Sequence, residues 1–198
     1  MTAAVLDPAR LPPAQRERRR RIVAAAIDLL SASEYDTVQM RDVAERAGVA
    51  LATIYRYFTS KEHLYAAALV EWSAGYPSRV GGGRPRGDTP EERLRALMHR
   101  AVRAFERYPQ MMRAEMTLEM SNDPNARALF EQFASQNKGV LLEGLEGLDP
   151  HRAAAIIDVV NAVLATRLRS WALARCSIRD VDRSVQAAID VLFTRERV

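Results

Sequence analysis

The sequence predicts an all-α protein of about nine helices, with an N-terminal helix-turn-helix unit followed by a second helical domain. Three observations carry this. Apolar residues recur at three- and four-residue spacing, the period of a helix with one inward face, and no strand-like alternation interrupts them. The nine glycines and nine prolines of the 198 residues cluster at a few points, leaving long stretches of Ala, Leu, Arg and Glu. Helix starts are written out repeatedly: Thr89-Pro90-Glu91-Glu92, Asp123-Pro124 and Asp149-Pro150 each place a capping side chain before a proline at the first helical position.

The elements follow in order. Residues 1–14 carry Pro8, Pro12 and Pro13 and are expected as a flexible arm. A first helix is expected from Gln15 to Ala32, with Ile22, Val23, Ala26, Ile27 and Leu30 as its buried stripe. Thr37 is the expected N-cap of a second helix, whose inward face is Met40, Val43, Ala44 and Ala47. Gly48 can adopt the left-handed conformation that ends a helix and turns the chain. A short third helix, Leu51–Tyr57, and a fourth after Ser60 complete a domain expected over residues 15–75. Residues 76–89 contain Pro77, Gly81-Gly82-Gly83, Pro85 and Gly87 and read as a linker loop. The second domain, 90–198, is expected as helices Pro90–Arg107, Gln110–Met120, Pro124–Leu145, Pro150–Arg175 and Ile178–Thr194, the last introduced by Ser177-Ile178-Arg179-Asp180.

Composition removes several classes of function. With 48% hydrophobic residues the chain is too apolar for general disorder. No run approaches the ~18 apolar residues of a membrane-crossing helix, and Asp28 breaks the apolar run after Arg18–Arg21 that superficially resembles a signal peptide. The single Cys176 rules out an internal disulfide and fits a reducing, cytoplasmic setting. His63, His99 and His151 are scattered, Glu115 and Glu119 are more simply a solvated helix face, and no glycine-rich phosphate loop or metal-ligand spacing occurs. Neither catalysis, nor a cofactor, nor a metal, nor a membrane is expected. The net charge is +4, concentrated near the N-terminus, where Arg10, Arg16 and Arg18–Arg21 face a single acid, Glu17. That end would attract a polyanion without reading its sequence.

Met40–Ala47, Gly48-Val49-Ala50 and Leu51–Tyr57 form a helix, a glycine turn and a short helix. This pattern lets the second helix protrude into a DNA major groove about 12 Å wide while the first braces it. Thr53, Tyr55 and Tyr57 offer hydroxyls for phosphate oxygens, and Lys61 adds a cation beside a helix N-terminus. Arg41 and Arg56 can reach guanine edges or phosphates, and Leu51 and Ala52 a thymine methyl. Competing roles stand beside these: Tyr55 and Tyr57 as packing residues, Arg41 as a partner of Glu45 one turn along, and Leu51 as a stray surface residue.

The string from Ala47 to Leu64 resembles the signature of the TetR family of bacterial regulators, approximately A-G-V-S-x-G-T-L-Y-x-Y-F-x-S-K-E-x-L, at nearly every fixed position. Within that family, Ala14–Arg19 and Tyr35–Arg41 resemble the KstR-like actinobacterial regulators of steroid and cholesterol breakdown. The resemblance implies a homodimer on a double-stranded DNA operator, a C-terminal domain for an apolar small-molecule effector, and DNA contacts at Gln39, Arg41, Thr53, Tyr55, Tyr57 and Lys61, with Leu51 and Arg56 facing bases. Two departures stand out. Ala50 replaces the serine that usually caps the third helix, and Ser33-Glu34 replaces a glycine at the end of the first, where strain is expected.

The second domain is rich in flexible, polarisable methionine, which suits an adaptable apolar pocket as well as an ordinary core. The expected pocket residues are Met98, Phe105, Met112, Met116, Met120, Phe130, Phe133, Asn161 and Trp171. The last two helices carry stripes too apolar for solvated surfaces. Val160, Leu164, Leu168, Val181, Val185, Ile189 and Leu192 are expected to meet a second subunit in a four-helix interface, part of each stripe serving the chain's own core.

Overall fold

The computed structural model describes residues 10–74 and 87–194, and among them every regular element is a helix. These are α1 (Pro13–Ala32), α2 (Met40–Ala47), α3 (Leu51–Tyr57), α4 (Lys61–Ala74), α5 (Pro90–Arg107), α6 (Pro109–Glu119), α7 (Pro124–Gly144), α8 (Pro150–Ala172) and α9 (Ile178–Phe193). None is long and apolar enough to cross a membrane.

The element ends follow local chemistry. α1 begins at Pro13, two residues inside the expected arm, because a proline at the first helical position lacks only an amide that would be unpaired anyway. Residues 1–9 of the arm and most of the expected linker lie outside the described residues. Ser33 ends α1 in an extended conformation (φ −142°) with its amide on the Leu29 carbonyl, so no strain arises where glycine is usual. The N-cap of α2 is Gln39 rather than Thr37. The Asp42 carboxylate accepts from the Gln39 amide at 2.8 Å, while the Thr37 hydroxyl donates to the Glu34 carbonyl and closes the preceding turn. Gly48 is left-handed (φ 64°), as its position requires. The Thr89–Glu92 and Ser177–Asp180 capping boxes form, and the Asp149 side chain accepts from the Arg152 amide.

The chain divides into two compact units, one holding residues up to Ala74 together with Arg113–Phe133, the other holding the stretch ending at Met112 together with the residues from Ala134 on. This differs from a division at the linker alone: the second half of α6 and first half of α7 belong with the helix-turn-helix. In the first unit α1 packs on α2 and α4, and α2 on α3. Ile22, Leu30, Val43, Ile54, Phe58, Leu64 and Leu69 are fully buried there. In the second unit α9 packs on α8 and α5. Arg93 closes the end of α7, donating to the Gly144 and Glu146 carbonyls at 2.8 Å each.

Candidate nucleic-acid interface

α3 is too short to be stable alone and is held by what it buries. Ile54 and Tyr57 point inward, and Phe58, its C-cap, is sealed between the edge of the His63 ring (centroids 5.3 Å apart) and the Arg19 guanidinium 5.1 Å above it. The opposite face is left to solvent: Leu51 is 41% and Tyr55 48% exposed, Ala52 and Arg56 are also exposed, and Thr53 is half-buried. Large apolar and aromatic groups in water beside Arg56 make the ridge that a major groove accommodates. Ala50 caps α3 without a side-chain bond, as its lack of a hydroxyl dictates.

Gln39, Arg41, Leu51, Tyr55 and Lys61, with Asp36, Val38 and Met40, line a surface depression of about 360 Å³. The reading candidates at the start of α2 and on α3 therefore share one concave face. Arg41 pairs loosely with Asp42 (3.7 Å) rather than with Glu45, and its side chain is mostly exposed.

Two expected contacts are placed differently. Tyr57 is only 5% exposed and packs the three-helix unit, because it shares the inward face of α3 with Ile54 three residues earlier. Lys61 turns back to the Tyr35 carbonyl, with its ammonium 4.3 Å over the Tyr35 ring. Of the arginine run, Arg19 is occupied with Phe58 and Arg20 is paired with Glu17 at 2.8 Å.

Sequence reasoning missed the polar contacts around the end of α3. His63 is buried; its Nδ1 accepts from the Thr59 amide at 3.2 Å, and its own amide donates to Ser60 Oγ at 2.9 Å. Burial pushes the His63 pKa down, with Asp123 opposing and Arg19 reinforcing the shift. Asn125 donates to Thr59 Oγ1 at 3.1 Å, and Arg113 pairs with Glu34 at 2.8 Å. Partners 66 and 79 residues apart leave no periodic signal.

The expected pocket residues fall in both units. Met98, Phe105 and Met112 are buried in the second unit, where Asn161 and Trp171 are half-buried. Phe133 is buried and Met116 and Phe130 half-buried in the first, the two phenyl rings 5.9 Å apart. Met120 is 85% exposed: α6 stops one residue earlier, so the side chain leaves the helical stripe. The expected dimer residues Val160, Leu164, Leu168, Val181, Val185 and Ile189 are all buried within the one chain, consumed by the packing of α9 on α8 and α5, while Leu192 is half-buried. Among the apolar residues these helices leave in water are Ala155, Val159, Ala162 and Ala165 on α8, and Ala187 and Val191 on α9.

The family model for bacterial regulatory proteins of the tetR family matches residues 22–68, and that of the tetracyclin repressor-like C-terminal domain matches residues 87–192. The chain is a member of the TetR family. It is 34% identical over 181 residues to the HTH-type transcriptional repressor KstR of Rhodococcus jostii, covering 91% of this chain and 84% of that one. A TetR transcriptional regulator from Rhodococcus sp. RHA1 superposes with a TM-score of 0.78 at 25% identity, over 91% of this chain and 97% of its own. The regulator FadR from Bacillus subtilis, solved in complex with stearoyl-CoA, shares the fold (TM-score 0.63, 19% identity, 87% and 96% coverage). The family and these relatives are transcriptional regulators, not enzymes, and this TetR member is a KstR-like, DNA-binding helix-turn-helix repressor.

Proposed function

We propose that this TetR-family repressor acts in the cytoplasm as a homodimer on a near-palindromic operator and is released from it by an apolar, lipid or steroid-like effector, coenzyme A thioesters included. The observation that carries the DNA half is that Leu51 and Tyr55 of the exposed α3 ridge share one concave face with Gln39 and Arg41. Two such ridges, one per subunit, suit successive major grooves about 34–36 Å apart. Tyr55 and Thr53 serve phosphates, and Arg41 and Arg56 serve base edges or phosphates.

The dimer face is assigned to the exposed residues of the last two helices rather than their buried stripes. Ala155, Val159 and Ala162 lie one turn apart on α8, as do Ala187 and Val191 on α9. Small side chains at that spacing allow two helices to approach closely. The effector class rests on the Met- and Phe-rich interior, on the resemblance to KstR-like regulators of steroid breakdown, and on the stearoyl-CoA held by FadR. Release requires that the effector bind the DNA-incompetent state more tightly than the competent one.

The test is fluorescence anisotropy of the full-length protein on a duplex it has selected from a random pool, titrated with palmitoyl-CoA, palmitate, a 3-keto-steroid and free coenzyme A. Release by one of the apolar compounds and not by coenzyme A is expected. A complex that survives all four at saturating concentration removes the effector class. Native mass spectrometry of the same sample reads the dimer directly.

A further inference from the structure

We propose that Leu51 is a specificity-determining residue that reads the C5 methyl group of an operator thymine, so that the first turn of α3 recognises an apolar group rather than a hydrogen-bonding base edge. This rests on the α3 ridge being the DNA-reading surface, as proposed above. Leu51 is 41% and Tyr55 48% exposed, with Ala52 and Arg56 in water beside them. Steps of one, four and five residues from Leu51 place all four on one side of the helix, away from the inward-facing Ile54 and Tyr57.

The side chains divide the work along α3. In a helix-turn-helix the N-terminal residues of the second helix reach the base edges. In α3 these are Leu51 and Ala52, whose side chains carry no polar atom, and the N-cap Ala50 adds none. Tyr55 and Arg56, with their hydroxyl and guanidinium, stand one turn further back. The polar side chains that share the depression with Leu51 include Gln39 and Arg41, which belong to the start of α2 and its cap. Hydrogen-bond patterns are therefore left to Gln39, Arg41 and Arg56, and Leu51 is blind to them. Among the groups that the four bases present in the major groove, the thymine methyl is the apolar one.

Exposure supplies the energy. Ile54 and Phe58 are fully buried, whereas Leu51 forgoes much of that burial while the protein is free. A thymine methyl laid against it takes apolar surface of both partners out of water. Beside another base the same side chain would cover an amino, carbonyl or ring-nitrogen group and offer it no partner, which costs free energy. Arg41 and Arg56 flank this apolar surface with positive charge, which suits a groove walled by phosphates.

The test uses the full-length protein and a duplex that it selects from a random pool, made once with thymine and once with uracil throughout. Uracil pairs as thymine does and lacks only the methyl. Fluorescence anisotropy at one salt concentration reads both affinities. Loss of one buried methyl should weaken binding roughly fourfold in each half-site, or about fifteenfold over two. Leu51→Ala should bind the thymine duplex more weakly and no longer tell the two duplexes apart, with its melting temperature unchanged. If Leu51→Ala does not fold, Leu51→Gln takes its place with the same expectation. A wild type that binds both duplexes equally overturns the methyl contact and leaves the reading face standing. A variant that keeps the full preference for thymine overturns it too, because the methyl is then felt through duplex shape or another side chain. A wild type that selects no duplex overturns the reading face, and the methyl contact with it.

Discussion

In α3 the residues facing water are Leu51, Ala52, Tyr55 and Arg56, whereas in α9 the apolar stripe of Val181, Val185 and Ile189 is wholly inside the chain and Val191 is left outside at 74% exposure. Both helices bury one face and leave the other in water. Periodicity says that a helix has an apolar face, but it does not say whether that face meets the chain's own core or something external. On α3 the exposed set contains groups that gain nothing from solvent, and that mismatch marks a surface kept for a partner. On α9 the stripe is taken up by the chain's own fold, and the proposed dimer face has to be built from what remains.

Four experiments sharpen this contrast. The largest effect is expected from Ile189→Ala, which should cost about 2–5 kcal/mol as a core truncation. Chemical denaturation at several protein concentrations checks it, because a core position loses the same stability at every concentration, while an interface position does not. Arg41→Ala should weaken the selected duplex by about 1–3 kcal/mol and leave the melting temperature in place. An unaltered affinity would remove Arg41 from the reading set. Val191→Asp should leave the folded chain intact yet raise the dimer dissociation constant by about tenfold or more, as a charge placed at an interface anchor does. Sedimentation velocity reads this, and a dimer of wild-type strength would move the interface elsewhere.

The mildest effect concerns pH. The folded pKa of His63 lies below its ordinary value of 6.5 because it is buried. Above 6.5 both states are neutral and the group contributes nothing; below it the unfolded chain binds a proton that the folded chain resists, so stability falls as pH falls. His63→Asn, which can still accept from the Thr59 amide, should flatten the melting temperature between about pH 6.5 and 5.

Most of the reading unit was legible because its signals are local. Leu51–Tyr57 and the bend at Gly48 depend on residues within a few positions of one another, as does the cap at Thr89 in the second unit. At three positions the structure chooses between near-equivalent options that the sequence leaves open. Thr37 and Gln39 are both able to cap, and the Asp42 carboxylate decides for Gln39. Tyr55 and Tyr57 are both tyrosines two positions apart, and the helix turns only one of them outward. Lys61 could serve water, DNA or a carbonyl, and the turn at Tyr35 offers the carbonyl. The assignment of Arg113–Phe133 to the first unit was out of reach, since Arg113 with Glu34 and Asn125 with Thr59 join segments that share no pattern.

The left-handed bend at Gly48 has open space where a side chain would stand: a Cβ built there meets nothing within 4 Å. Glycine is therefore demanded by handedness alone and not by crowding. A mirror-image alanine installed by chemical synthesis would occupy the site without strain. It would also narrow the conformations open to the denatured chain, stiffening the reader without altering any surface it shows to DNA.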